Sequence, residues 1–448
     1  MECFTSVESD EKKTYVILYM FNIYKLGGTT IGNYKYYKNI LKISKNNPLF
    51  VVSAINTNTK AEGTTTQLLN IYNEWDNYKN YNYNNILHEM PFKNLISSHE
   101  YLENKLDIPN NSKYILKENF YKWKQNNNIN NFVSLGELMS AHILHNFFKK
   151  NNISSTVVDL QDILIDTDIN LSNSKYRKNV INIMKERLDY EYSGIPIMTG
   201  FMGIGGKGTF DTLGRGYSDT TSSIIASSYD SPLNVMKDSG GVFTGHPFKI
   251  KKSSQINTIS LDEAIELTSF GNEVLHEYTS YFAKDYMFDI SIKDIRDLNN
   301  NGTLITSNIN ISNDITAISV KENINIISIK INNDIDIDSI INNINKYNPL
   351  LISKTNHNIS FATTNIITNQ FNMYGSVTIY NNRVCISCIG EGMKYKPGTS
   401  TKIFKTFSDL GLNIEMITQG PNEINISVIV KNSKDIWNKI ERIHNILI

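Results

Sequence analysis

Neither sign of charge is in excess: 44 Lys plus Arg balance 44 Asp plus Glu, and the formal net charge at pH 7 is zero. A chain without a basic excess has no electrostatic footprint for nucleic acid or another polyanion. Cysteine is scarce too, with three in 448 residues, an odd number that argues against a disulfide scaffold and fits a reducing compartment. Cys385 and Cys388 have the spacing of a metal or redox pair. They lie in the alternating run Arg383 to Ile389, however, where positions three apart face opposite sides of a strand, so two separately packed thiols are expected. Long apolar runs are missing. The burst Tyr15 to Phe21 is far shorter than the roughly 20 residues that span a bilayer, and Met1 to Lys13 is polar and acidic, unlike a signal segment. The expectation is a soluble, cytoplasmic protein with neither nucleic-acid nor membrane partners and no metal site of its own.

What is abundant is asparagine, isoleucine, lysine and tyrosine, in runs such as Asn77 to Asn85 and Gln125 to Asn131. Such runs reflect compositional bias and carry little structural information. Between them, from about residue 14 to 305, strand-length apolar bursts (Phe21 to Tyr24, Leu49 to Ser53, Thr156 to Asp159, Ile195 to Thr199) alternate with helical stretches (from Asn33, from Thr66, Gly136 to Lys150, from Ser174, Thr220 to Ser228). That alternation predicts a three-layer α/β domain with a mainly parallel sheet. Beyond about residue 315 the texture changes to short alternating strands, such as Ile326 to Ile331 and Asn425 to Val430, with helices such as Lys402 to Leu410. This is the pattern of ferredoxin-like modules, read twice. The expected divisions are 1–306, 313–372 and 376–448.

Thr212-Leu213-Gly214-Arg215-Gly216-Tyr217-Ser218-Asp219 places an arginine, a hydroxyl and a carboxylate between glycines, after the strand Ile195 to Thr199 and before a helix, with Ser218 or Asp219 near its N-cap. Such a loop can grip a zwitterion, the arginine clamping a carboxylate and the aspartate an ammonium; a glycine turn with a capping Asp is the alternative. Lys25-Leu26-Gly27-Gly28-Thr29-Thr30 follows the first strand, and adjacent glycines let backbone N–H groups approach phosphate oxygens. A plain strand-to-helix turn explains that loop equally. His142 and His145, three apart on one helix, have no third ligand beside them and read as packing residues; His276 reads as a structural imidazole.

Taken together, these stretches resemble the aspartate kinases of the amino acid kinase family. Lys25 to Thr30 is similar to that family's opening loop. Val51 to Ala54 with Thr59 to Leu69 resembles its second substrate loop in the longer fungal form. Ser134 to Ser140 resembles its Gly-Glu-x-x-Ser helix start, and Gly214 to Asp219 its Gly-Arg-Gly signature. Ser269 to His276 and Asn301 to Ile305 also match, in the family's order. The resemblance implies transfer of the γ-phosphoryl group of Mg-ATP to the β-carboxylate of L-aspartate, the first step toward lysine, threonine and methionine, with ATP and Mg2+ as cofactors. Lys25 would stabilise the transferring group and Gly27, Gly28 and Thr29 would hold phosphates. Arg215 would clamp the α-carboxylate and Glu137 the α-ammonium, while Ser53, Thr65, Thr66, Ser218 and the catalytic Asp219 would position the substrate. Glu137 could instead serve only the helix dipole.

Lys237, Asp238, Phe243 and Thr244 match the family's nucleotide loop, but Gly240, His246 and Phe248 replace a common Asp, an Asp and an Arg, with Lys249 one place beyond. Val384 to Gly392 and Lys396 to Ser427 resemble the second ACT module of fungal-type aspartate kinases. That likeness implies pairing of two or more copies through ACT modules and an amino-acid effector, threonine or lysine, near Pro397, Gly398, Asn413, Ile414 and Gln419. The first ACT copy lacks the Pro-Gly loop across Asn332 to Asp338. A glutamate-type kinase and a non-catalytic amino-acid sensor are the alternatives.

Overall fold

The computed structural model describes residues 21–56, 63–164, 170–203, 213–214, 216–271, 275–309, 313–332, 337–420 and 422–448. The chain folds as two compact units, Met1–Gly241 with Tyr281–Leu304, and Val242–Ser280 with Ile305–Ile448. Val242–Ser280, expected inside a continuous 1–306 domain, thus packs with the C-terminal modules. Its Leu261–Ser269 helix carries the reason: Ser260 and Glu263 form a capping box, and Oε1 of Glu263 also accepts bonds from Thr316 Oγ1 at 2.6 Å and the Glu391 N–H at 3.0 Å.

The first unit is built on strands β1 (Asn22–Leu26), β2 (Pro48–Val52), β3 (Ser155–Val158), β4 (Ile195–Thr199), β5 (Leu233–Lys237) and β6 (Ile290–Asp294), in the order β3-β4-β2-β1-β5-β6 with every neighbouring pair parallel. Period-two alternation divides each strand between two faces. Leu26, Phe50, Val52 and Ile197 join Ala141, Leu144 and Phe148 of the Leu135–Lys150 helix in one core. The Tyr217–Ser228 helix packs on β1, β2 and β5. This second helix is buried along its whole length although seven of its 12 residues are Ser or Thr. Four of its hydroxyls bond back into the helix, Ser222 to the Asp219 carbonyl, Ser223 to Thr220, Ser227 to Ser223 and Ser228 to Ile224, which lowers the cost of burying them.

The asparagine-rich region between β2 and β3 is a helical layer. Trp75, Phe120, Trp123 and Phe132 form its centre, with the Trp123 and Phe132 rings stacked at 4.1 Å. Two of its asparagines cap helices: Asn82 Oδ1 accepts the Asn85 N–H and Asn128 Oδ1 the Asn130 N–H. Glu103, on the Met90–Leu106 helix, accepts three bonds from Asn111 and Ser112 and so caps the helix Ser112–Gln125.

The second unit holds a six-stranded antiparallel sheet of β7 (Ala317–Ile331), β8 (Leu351–Lys354), β9 (Asn358–Thr363), β10 (Gly375–Ile389), β11 (Ile414–Gln419) and β12 (Asn425–Lys431), ordered β8-β9-β7-β10-β12-β11. Two modules share it, but not in tandem. The long strands β7 and β10 run through both, and their pairing shifts register around Arg383. Asn323 and Asn382 bracket that shift with φ of 59° and 60°, a backbone that asparagine tolerates better than most residues. Divisions at 313–372 and 376–448 therefore run across paired strands. Cys385 packs with Ile324, Ile326 and Ile429, and Cys388 with Val384, Ile386 and Ile403, on opposite faces; burial pushes their thiols up to about 11 and about 12.

Gly136 opens the Leu135–Lys150 helix against the chain after β2: a Cβ there would stand 2.7 Å from Ala54 Cβ and 3.1 Å from Thr64 Cγ2. Helix propensity alone would make Gly136→Ala stabilising by about 1 kcal/mol, whereas overpacking costs about 1–3 kcal/mol. Overpacking wins, so urea denaturation should show a lowered midpoint; a raised midpoint would contradict this packing.

Candidate active site

Parallel strands deliver their functional groups at their C-terminal ends. Lys25, near the end of β1, is 6% exposed, and its ammonium lies 2.5 Å from Oδ1 of Asp219, in the first turn of the Tyr217–Ser228 helix. Beyond β2, Ser53 Oγ meets Ser218 Oγ at 2.8 Å. Beyond β4, Gly200 donates to the Val52 carbonyl at 2.8 Å, and a Cβ on it would stand 2.7 Å from Ser218 Cβ. No side chain larger than hydrogen fits between these strand ends. The helix N-cap is Gly216, at φ 91°, so Ser218 and Asp219 sit within the first turn.

Glu137 reaches the same edge from the Leu135–Lys150 helix. Its Oε1 accepts the Ala54 N–H at 3.2 Å and the Tyr217 hydroxyl at 2.8 Å, while Oε2, also buried, has no hydrogen-bond partner among the described residues. Burial pushes its carboxyl up to about 7, against the opposing effects of Tyr217, backbone N–H groups and the Lys25 charge. A buried carboxylate oxygen without a donor is costly in the free protein. It is suited to a cationic ligand group.

The sequence thus places Lys25, Ser53, Glu137, Ser218 and Asp219 on one edge. Gly27 and Gly28 follow Lys25: a Cβ at Gly28 would stand 2.5 Å from the Ala54 carbonyl, whereas one at Gly27 would project to 4.0 Å from Lys25 Nζ. Thr29 belongs to the short Gly28–Ile31 helix, where Thr30 Oγ1 ties the loop to the Met236 carbonyl at 3.1 Å. Thr65 and Thr66 lie half-buried in the first turn of the Thr64–Asn73 helix. Arg215 lies outside the described residues. Sequence reasoning missed Tyr217 and the Ala54 N–H as partners of Glu137; a tyrosine between Gly216 and Ser218 was the available signal.

The nucleotide candidates divide. Lys237 ends β5 and Asp238 follows it in the first unit. Gly240 has φ 69°, and a Cβ there would meet Asp294 Oδ2 at 2.9 Å, so glycine suits this backbone where the family's aspartate would not. Phe243, Thr244 and Lys249 belong to the second unit. Phe243 bridges to Gln255, and Thr244 Oγ1 meets His444 Nε2 at 2.9 Å. Lys249 pairs with Glu322 at 2.7 Å and stands 4.0 Å from the centre of the Trp437 ring. His246 packs edge-on to Trp437, and Phe248 is exposed.

Of the effector candidates, Gly398 (φ 91°) is the N-cap of the Thr399–Asp409 helix, Pro397 and Asn413 are exposed, and Ile414 and Gln419 bound β11. Ile414 also lines a hollow of about 640 Å³ with Ser328, Ser360, Tyr380, Arg383 and Met416. Among the described residues no group of three or more His, Cys, Asp or Glu could hold a metal ion, and no helix is long and apolar enough to cross a membrane. His145 Nδ1 lies 3.0 Å from Ser155 Oγ, and His276 Nδ1 accepts the Tyr278 N–H at 3.4 Å.

Comparison with known proteins places this geometry. Residues 20–294 match the amino acid kinase family and residues 386–443 match an ACT domain. The aspartokinase of Candida albicans is 26% identical across 94% of this chain and 89% of its own, and that of Saccharomyces cerevisiae is 26% identical across 92% and 90%. Among solved structures, the aspartate kinase of Clostridium acetobutylicum superposes with a TM-score of 0.72 at 22% identity, covering 96% of this chain and all of that one. Escherichia coli aspartokinase III, in complex with aspartate and ADP, gives 0.71 at 18% identity, covering 95% and 99%; these two likenesses are ones of fold. With its matched region spanning the six parallel strands and the edge that carries Lys25, Glu137 and Asp219, the chain belongs to the amino acid kinase family.

Proposed function

We propose that this protein is an aspartate kinase, transferring the γ-phosphoryl group of ATP to the β-carboxylate of L-aspartate to give 4-phospho-L-aspartate. The observation that carries the reading is Oε2 of Glu137, buried within Coulombic reach of Lys25 and without a hydrogen-bond partner among the described residues. Its chemistry suits the α-ammonium of an amino acid. Arg215 would clamp the α-carboxylate, and Ser53, Ser218, Thr65 and Thr66 would orient the rest of the substrate. Aspartate arrives with a carboxylate nucleophile already ionised, so no general base is needed. Positioning and electrostatic stabilisation account for the rate.

ATP fits the open side of Gly27 beside Lys25, where a side chain would intrude. There the Gly27, Gly28 and Thr29 backbone would face phosphate oxygens and Lys25 the transferring group, held in place by Asp219. Lys237, Asp238, Phe243, Thr244 and Lys249 remain the candidates for the rest of the nucleotide. Mg2+ would be held by the ATP phosphates with one or two carboxylates at most. The structure of Escherichia coli aspartokinase III with lysine and aspartate supports an amino-acid effector. For this chain we place threonine or lysine at Pro397, Gly398, Asn413, Ile414 and Gln419, with copies pairing through their ACT modules. In line with its aspartokinase relatives, the protein would act in the cytoplasm, in lysine, threonine and methionine synthesis.

A non-catalytic amino-acid sensor is the second reading, favoured by the engagement of Lys249 with Glu322 and Trp437. Incubation with Mg-ATP, aspartate and hydroxylamine separates the two. A kinase yields the acyl hydroxamate, and Lys25→Ala lowers kcat by roughly 10²–10³; effector binding without hydroxamate from any amino acid selects the sensor.

Glu137 also makes a stability prediction. Its carboxyl is raised from 4.5 to about 7 in the folded protein, so its contribution is fully present below the unfolded value and is lost as pH rises through 7. Above pH 7 the ionised, buried group costs the ligand-free protein on the order of 3 kcal/mol. Glu137→Gln should therefore melt about 2–4 °C above the wild type at pH 8, with the gap closing below about pH 5, while aspartate turnover falls. Equal melting temperatures at pH 8 would contradict the assignment.

A further inference from the structure

Glu137 does not hold its own orientation. Its two oxygens are treated differently: among the described residues Oε1 takes two hydrogen bonds and Oε2 none. The stronger of the two comes from Tyr217, a residue given no part in the reaction so far. Tyr217 is 4% exposed, and its ring meets Phe201 edge-on at 5.3 Å and 82°, which fixes the direction of its hydroxyl. It stands one residue before Ser218, which meets Ser53, and two before Asp219, which pairs with Lys25. The opposing donor, Ala54 N–H, comes from the residue after Ser53. Every group around the carboxylate is thus tied to another member of the site.

We propose that Tyr217 is a positioning residue for the amino-acid substrate: with the Ala54 N–H it holds Oε1 of Glu137, so that Oε2 is presented, ionised, to the substrate ammonium. The phenol is the only side-chain donor to Glu137 among the described contacts. Among the described residues the charged group that acts on the carboxylate is Lys25 from β1, itself paired with Asp219. Because Asp219 offsets much of the Lys25 charge, the Tyr217 hydroxyl and the backbone N–H groups oppose the desolvation of Glu137. Removing the hydroxyl leaves the carboxyl protonated to higher pH and less able to pair with an ammonium. The inference rests on the reading of this edge as an aspartate site, and aspartate binding tests it without phosphoryl transfer.

The experiment uses the full chain, with aspartate affinity by calorimetry across pH and steady-state kinetics beside it. Tyr217→Phe keeps the ring and its contact with Phe201. It should weaken aspartate binding and raise the aspartate KM about tenfold near pH 7, leave kcat and the Mg-ATP KM within about threefold, and move the acid limb of binding to higher pH. Glu137→Gln should abolish that limb, and adding Tyr217→Phe to it should cost little more. Wild-type aspartate affinity and acid limb in Tyr217→Phe would overturn the proposal, as would the same loss in the Glu137→Gln background. Persistence of the acid limb in Glu137→Gln overturns it without recourse to Tyr217→Phe. A wild type that binds aspartate but makes no hydroxamate removes the kinase reading and leaves this inference standing; one that does not bind aspartate removes both.

Discussion

Three ionisable side chains, Lys25, Asp219 and Glu137, are buried together at the C-terminal edge of a parallel sheet, each less than a tenth exposed. Charge in such a place is a burden on the fold, since desolvation of a buried pair often exceeds its mutual attraction. The surrounding structure keeps the burden tolerable. Lys25 and Asp219 neutralise one another at 2.5 Å. Glu137 receives bonds on one oxygen only, and burial holds its carboxyl near neutrality. The close approach of Gly136, Gly200 and Gly28 to neighbouring backbone and side chains brings the strand ends and helix starts together tightly enough for these contacts to form. A ligand ammonium would satisfy Oε2 of Glu137, which has no hydrogen-bond partner among the described residues.

The segment that resembles a nucleotide loop has a second set of obligations. Within the C-terminal unit, Thr244 meets His444, Lys249 meets Glu322 and Trp437, and the Lys251 N–H donates to Glu441. Three of these partners lie on the terminal helix Ile436–Leu447 and the fourth on β7. Residues proposed to touch ATP are therefore packed on the elements that form the ACT sheet and its covering helix.

The layered α/β architecture was legible because period-two bursts such as Ile195–Thr199 and the glycine loops after β1 and before the Tyr217–Ser228 helix have direct physical meanings. So were the opposed faces of Cys385 and Cys388. The helical layer from Trp75 to Val133 was hidden because asparagine reports on helix ends and loops while the packing is done by scattered aromatics such as Trp75, Trp123 and Phe132. The interleaving of the two modules was hidden for a different reason. Ile326 to Ile331 and Arg383 to Ile389 were legible as short strands, but each is only the end of a 15-residue strand whose other half pairs in the other module. In the site, the charged residues were legible singly, but the Tyr217 to Glu137 bond joins two helices 80 positions apart and leaves no local pattern.

The account stands on a Glu137 carboxyl that is partly protonated in the free protein and ionised once an ammonium is bound beside it. Aspartate binding measured by calorimetry near pH 7, in buffers of different ionisation enthalpy, reads that change directly. The account predicts net release of protons to the buffer on binding by the wild type and none by Glu137→Gln. Binding without proton release, or with the same release in Glu137→Gln, would contradict it.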